Sequence, residues 1–305
     1  MKEEIIRISK INNIDKIGFC NIKNLKIPYE KYKLQETLNY KCSFQVGDLS
    51  DKSLINKKYN IYNTVIVILV SYNKVDFSDK SCVSLSSCAY GRDYHLELKD
   101  KMQDICEYLK DNGYIYKTYV DNNPLDERLL AYNAGLGFFG KNNLLINEDI
   151  GSYFFIGEIL TDAVIESDKI QNNKCIGCNK CIKVCPTHAL NDNGILNSKR
   201  CLSYLTQSKK LDENDYKYFD NCIYGCDKCI SICPYNNKIK EIKNEIDIDE
   251  FLSMSSEEYK NKYSSNASYW RGKKVLDRNI NIYLNNLKKK KYCVKIKYSK
   301  DKEIL

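Results

Sequence analysis

Nine of the fifteen cysteines fall between residues 175 and 233. Cys175, Cys178, Cys181 and Cys185, with Pro186 after them, make the run CIGCNKCIKVCP. In that spacing three thiolates hold one iron–sulfur cubane and the fourth crosses to another. A structural zinc site would want two separated CxxC pairs, so the third close cysteine and the proline point to iron and sulfur. A second run, CDKCISICP, supplies Cys226, Cys229 and Cys233, but the cysteine expected three places before Cys226 is missing. With crossed ligands, Cys175, Cys178, Cys181 and Cys233 form one set, and Cys185, Cys226 and Cys229 are one ligand short. Cys201 and Cys222 are the two candidates for the fourth place, and spacing does not choose between them. His188, just past the first run, reads as a local hydrogen-bonding residue. His95 is the only other histidine, which excludes a histidine-rich zinc or copper site.

Three further stretches concentrate polar groups. Asp121 closes a predicted strand shortly before a helix, where α/β proteins place ligands. A carboxyl there is a candidate proton donor if burial raises its pKa, and an ordinary turn aspartate otherwise. YGRDYH, residues 90–95, gathers Arg92, Tyr94 and His95 before a helix, as a site wall or as a capped helix start. Gly135, Gly137 and Gly140 spell GxGxxG, but the motif follows a helix, whereas a dinucleotide fingerprint follows a strand and opens a helix. The loop GLGFFGKNN, with Lys141, Asn142 and Asn143, is either a close approach to a cofactor or a plain helix-to-strand turn.

The elements that must position these groups are readable in outline. TVIVILV at 64–70 is a buried strand in composition. Leu98, Met102, Ile105 and Leu109 recur at helical spacing between His95 and Asp111, and Gly113 closes that helix. YIYKTYV and SYFFIGEIL are strand-like; between them Asn123 is a candidate cap, Pro124 suits a first helical turn and Gly135 an exit. Strands alternating with helices predict an α/β or α+β domain with a central sheet up to about residue 165. ESDKIQNNK reads as a polar linker, 237–262 as an acidic helix–loop segment, and NASYWRGKKVLDRNINIYLNNL as one amphipathic helix with the sole tryptophan at its start.

A net charge of +8 arises from 42 lysines and six arginines against 40 acids, and is densest in the tail 286–302. Such a tail either binds nucleic-acid phosphates or is solvated lysine surface. The charged start MKEEIIRISK is no secretory signal, and the longest aliphatic run is too short for a bilayer. The cysteine pattern fits metal ligation in a reducing compartment, so a cytoplasmic protein without a membrane partner is expected.

YGRDYH, VDNNPLDERLLAYNAGLGFFGKNNLLIN, GSYFFIGEILTD, CIGCNKCIKVCPTHAL, RCLSYLT and YGCDKCISICPYN, in that order from about residue 90 to 236, resemble the epoxyqueuosine reductase family. The resemblance implies an α+β fold: an α/β-type cobalamin-binding domain with a central sheet (1–165), a ferredoxin-like domain with two 4Fe-4S clusters (166–240), and a short C-terminal helical segment with the basic tail (241–305). It implies that Cys201 completes the second cluster, with Cys222 a spare thiol, and that Asp121 is the proton donor. It places Arg92, Tyr94, His95, Asp121, Lys141, Asn142, Asn143, Ser152 and Asp227 in segments that face the corrin. The implied partners are tRNA, through the anticodon loop carrying epoxyqueuosine, and a flavodoxin or ferredoxin-type electron donor; a monomer is expected. Two departures stand out. Asn122 and Asn123 replace the serine and small residue common after the aspartate, and the sequence runs about one helix past Trp270, where relatives often continue into helical repeats that help hold tRNA. A reductase of the same construction with another substrate, or an electron carrier, is the competing expectation.

Overall fold

The computed structural model describes residues 1–121, 123–192 and 194–300, with side chains through residue 289 apart from Ser53. Asn122 and the far part of the basic tail, two features singled out in the sequence, therefore lie outside the described residues.

Thr64–Ser71 is the strand that its β-branched run predicts. Side chains alternate across a strand, so Val65, Val67 and Leu69 enter one core while Ile66, Ile68 and Val70 enter another. Its neighbours are Lys16–Asn21 on one side, with Ile66 opposite Phe19, and Phe154–Thr161 on the other, with Val67 opposite Glu158. Tyr116–Tyr119 completes the four-stranded sheet, Thr118 facing Ile159. Every one of these pairings is antiparallel. The fold is α+β, and the α/β-type alternation read from the sequence does not become a parallel sheet. The central strand Phe154–Thr161 follows the short antiparallel hairpin of Phe138–Phe139 and Leu145–Ile146, whereas a parallel neighbour needs a helical crossover.

Helix Tyr94–Asp111 covers one sheet face through Leu98, Met102, Ile105 and Leu109, joined by Ile5 and Ile8 of helix Lys2–Ile11. Helix Glu127–Asn133 lays Leu130 and Ala131 on the opposite face. Its cap is Asp126, whose carboxylate accepts from the Leu129 N–H at 3.2 Å. Asn123, the expected cap, instead accepts from the Leu125 N–H at 2.8 Å and closes a turn. Gly135 leaves the helix at φ +70°, and a Cβ there would stand 2.5 Å from the Lys169 carbonyl oxygen; one at Gly137 would stand 2.3 Å from that of Ile146. The glycine-rich loop thus serves close approach of the chain to itself.

The stretch read as a polar linker is strapped to the sheet domain. Asp168 accepts from the Phe19 N–H at 2.9 Å, and Gln171 donates to the Gly135 carbonyl at 2.8 Å. Beyond it, the two cysteine runs carry short helices, Lys180–Val184 and Lys228–Ser231, that pack against each other. A separate core of Val83, Leu85, Ile223, Phe251, Leu276 and Ile280 draws together residues from before and after the cysteines. The last helix is Lys273–Lys300. It does not begin at Asn266: Gly272, at φ +77°, ends a preceding turn Tyr269–Arg271, and Trp270 sits on that turn. Among the described residues no helix is long and apolar enough to cross a membrane.

Candidate functional site

Asp121 follows the edge strand and adopts φ +45°, a left-handed conformation that few non-glycine residues take without constraint. The surroundings supply the constraint. The Tyr94 hydroxyl donates to its Oδ2 at 2.6 Å, and the Asn123 amide donates to its main-chain carbonyl at 3.1 Å. His95 Nε2 stands 3.7 Å from the same carboxylate oxygen, while Nδ1 is engaged by Asp93 at 2.7 Å. Burial, and then the Asp121 charge, push the Tyr94 phenol far up, so Tyr94 is a donor to Asp121 throughout the ordinary pH range.

The carboxyl of Asp121 stands where two recesses meet. One, of about 210 Å³, is lined by Tyr72, Tyr94, Ser152, Phe155 and Ile230 among others. Its aromatic wall is a stack, with Phe155 4.5 Å from Tyr94 at 9° and 4.4 Å from Tyr72 at 28°. Ser152 Oγ is buried there without a hydrogen-bond partner. The other, of about 150 Å³, passes Phe44, Lys52, Glu127 and Arg128. It leads to a cavity of about 400 Å³ with Lys26, Lys31, Tyr32, Asp126, Phe139 and Asn143 in its wall. Burial works against the Asp126 charge, yet Arg128, Lys52 and the Tyr32 hydroxyl hold its carboxyl below the usual range. Burial pushes Glu127 up to about 8, with Asp121 adding to the shift and Arg128 opposing it. Glu158, fully buried in the central strand behind it, is raised further by burial and by Glu127.

The thiols fall into two groups. Cys175, Cys178, Cys181 and Cys233 line one small recess together with Lys141 and Asn142. Burial raises the Cys229 thiol, and Cys226, Cys201 and Cys185 add to the shift, so these four sulfurs share one neighbourhood. Cys222 is near Cys226, but it lies fully buried in strand Cys222–Tyr224 with its Sγ directed to the Tyr224 carbonyl at 3.4 Å. Fourteen free cysteines are described and none is in a disulfide. Two sets of four unpaired thiols on short loops are a donor set suited to two cubanes and to no hard metal. The second group touches the Asp121 recess: Ile230, next in sequence to Cys229, lines it, and the Asn142 amide donates to the Cys229 carbonyl at 3.5 Å.

Of the residues expected around the cofactor, Tyr94, His95, Asp121 and Ser152 come together, and Asn143 lines the larger cavity, where its Oδ1 accepts from Lys31 at 2.8 Å. Arg92, Lys141 and Asn142 lie elsewhere, and Asp227 stands behind the aromatic wall, near Tyr72. Arg92 makes a surface ion pair with Asp100 at 2.7 Å. Lys141 and Asn142 belong to the first thiol recess, where Lys141 donates to Asn179 at 2.6 Å. Asp227 is buried against Ser87, accepting from its N–H at 2.8 Å and from its hydroxyl. Sequence reading missed Tyr72, Phe155, Lys31, Lys52, Glu127 and Arg128. Phe155, Glu127 and Arg128 lie within stretches quoted for the resemblance, whereas Tyr72, Lys31 and Lys52 come from segments with no motif.

Residues 55–122 match the family described as Epoxyqueuosine reductase QueG, DUF1730, and residues 174–236 match the 4Fe-4S double cluster binding domain. The chain is 32% identical to the epoxyqueuosine reductase of Bacillus cereus, covering 94% of this chain and 81% of that one. The structure of epoxyqueuosine reductase from Streptococcus thermophilus superposes with a TM-score of 0.86 at 30% identity, over 99% of this chain and 86% of that one. A crystal structure of epoxyqueuosine reductase with an epoxyqueuosine-modified tRNA-Tyr stem loop gives 0.87 at 29% identity, over 93% and 81%. Thiol grouping, fold and sequence agree along nearly the whole length, and the chain belongs to the epoxyqueuosine reductase family.

Proposed function

We propose that this protein reduces the epoxide of epoxyqueuosine in a tRNA anticodon loop, giving the alkene of queuosine and water. Two electrons and two protons balance that change. The observation that carries the reading is the Asp121 carboxyl, held by Tyr94 at 2.6 Å where an aromatic recess and one lined by charged side chains meet, with Ile230 of the Cys229 segment in the aromatic one. The reading puts Cys175, Cys178, Cys181 and Cys233 on one 4Fe-4S cluster and Cys185, Cys201, Cys226 and Cys229 on the other, which together would relay electrons one at a time. Cys222 is left out because its sulfur is committed to a main-chain carbonyl inside a strand.

The aromatic recess suits a flat macrocycle, since Tyr72, Phe155 and Tyr94 present stacked rings and Ser152 Oγ lacks a partner that a bound group would supply. Tyr94, His95, Ser152 and, farther along, Asn143 would hold a cobalamin there. Such a cofactor supplies low-valent, nucleophilic cobalt chemistry, the part of the reaction that side chains do not perform. The rest falls to the chain. Asp121 delivers the proton to the oxygen as the carbon–oxygen bond breaks. Tyr94 and the left-handed backbone fix the direction in which that proton points. Lys26, Lys31, Lys52 and Arg128 make the adjoining cavity attractive to phosphate groups. The electron donor is a flavodoxin or ferredoxin-type protein, and the chain works as a cytoplasmic monomer.

The test is to offer tRNA carrying epoxyqueuosine to the chemically reduced holoprotein and to analyse the nucleosides by mass spectrometry. Queuosine is expected. Unchanged epoxyqueuosine under strong reduction would sink the assignment.

A further inference from the structure

Trp270, the one tryptophan of the chain, is 57% exposed. A large indole in water usually marks a contact surface, and here it is held in place. Its Nε1 donates to the Tyr224 hydroxyl at 2.9 Å, and that hydroxyl donates to the Ala267 carbonyl at 3.3 Å. The Arg271 guanidinium carbon lies 3.5 Å from the indole centroid and 4.6 Å from that of Phe44. Phe44 meets the indole edge-on at 5.5 Å and Tyr204 at 4.8 Å. Gly272, by ending the turn before the last helix, keeps the ring on a fixed turn rather than on a helix flank.

Position adds a second observation. Phe44 lines the recess that contains Asp121, Glu127 and Arg128, so the aromatic group stands on the rim of the candidate site. Arg271 Nε is buried without a hydrogen-bond partner; Lys52 and Arg128 line the recess beside Asp121, Asp126 and Glu127, and the cavity it leads to adds Lys26 and Lys31, an excess of cations. A rigid aromatic face, a guanidinium stacked on it and cations alongside match one ligand chemistry well: an unstacked nucleobase on a phosphate backbone. We propose that Trp270, braced by Arg271 and Phe44, is a stacking platform for an unpaired base of the anticodon loop next to the base entering the Asp121 recess. The platform would orient the loop by stacking, which tolerates any base, and leave recognition of the modified base to the recess. This inference rests on tRNA being the substrate.

The experiment measures binding of a fluorescently labelled anticodon stem loop to the holoprotein by anisotropy. Wild type, Trp270→Ala and Trp270→Phe are compared on the intact loop and on loops with one abasic position each. Stacking of a base is worth enough that Trp270→Ala should weaken the intact loop roughly tenfold to a hundredfold, while Trp270→Phe keeps most of the affinity. One abasic position should weaken wild type by a similar factor and leave Trp270→Ala unaffected. Unchanged affinity in Trp270→Ala, or an equal loss on every abasic loop, overturns the platform. So does a Trp270→Ala protein that binds the loop normally but accepts electrons from flavodoxin more slowly, since the surface then belongs to the donor. Absorbance of the iron–sulfur clusters in each variant confirms that it is folded. A wild-type protein that neither binds the stem loop nor converts epoxyqueuosine overturns the substrate reading together with the platform. Normal conversion with no effect of Trp270→Ala overturns the platform alone.

Discussion

The sheet region and the cysteine region are held together by different means. In the sheet, Val65 to Leu69 and Ile159 are fully buried, and helices cover both faces. Around the cysteines, Cys178 is exposed and the other seven proposed ligands are half-buried, on loops and on helices of four to six residues. Short helices of this kind are not stable by propensity. Apolar burial fixes the first region; in the second, small cores such as Leu202, Leu205 and Phe219 stand beside the thiol loops, and bonds to metal would add order there. The Asp121 carboxyl belongs to the first region, where Tyr94 and Asn123 hold its left-handed backbone, and faces the second.

The sharpest break of this contrast is at the ligands. Cys201→Ser should lose about half the bound iron and all turnover, whereas Cys222→Ser should keep its iron. Iron analysis and absorbance decide, and equal iron in both proteins would remove Cys201 from the cluster. Next in size is Asp121→Asn, which should lower turnover roughly a hundredfold to ten-thousandfold with iron content and stem-loop affinity unchanged. Full activity there would leave Asp121 without its role as acid. In the sheet, Ile159→Ala should cost about 2–5 kcal/mol of unfolding free energy while the folded fraction keeps its iron. Loss of iron in parallel with folding would show that the two regions are one cooperative unit.

A further contrast between the regions concerns pH. Glu127 is raised from an ordinary 4.5 to about 8 in the folded chain. The folded state therefore holds a proton that the unfolded state has released above pH 4.5, and stability should fall as pH rises from about 4.5 to about 8. Glu158, raised by burial and by Glu127, titrates together with it and acts in the same direction. Glu127→Gln should flatten the decline in denaturant unfolding between those limits. An unchanged slope would place the titration elsewhere.

How much was legible in the sequence varies between the two regions in the same way. The crossed grouping of thiols from the two cysteine runs is the one their spacing suggests, because a cubane would impose its own geometry on a few residues of chain. The strand at 64–71 and the helix to Asp111 follow from periodicity. The cap of helix Glu127–Asn133 was misplaced because Asn123 and Asp126 are both competent acceptors, and the turn at Pro124 selects the later one. The last helix starts later than its amphipathic pattern suggests because Gly272, at φ +77°, ends a separate turn that carries Trp270. Arg92 pairs with Asp100 and Asp227 accepts from Ser87 while standing near Tyr72, partners that proximity in sequence does not reveal.

By itself the sequence determined the two thiol runs, their iron–sulfur chemistry and the resemblance that singled out Asp121 and Cys201. Tertiary structure alone decided that the sheet is antiparallel, that Tyr72, Phe155 and Tyr94 form one stacked wall, and that lysines 26, 31 and 52 gather in one cavity beside Asp121. The physical reason is range. Metal ligation and helix periodicity act over a few residues and leave a spacing to be read. A cavity wall is assembled from segments whose only relation is the core that brings them together.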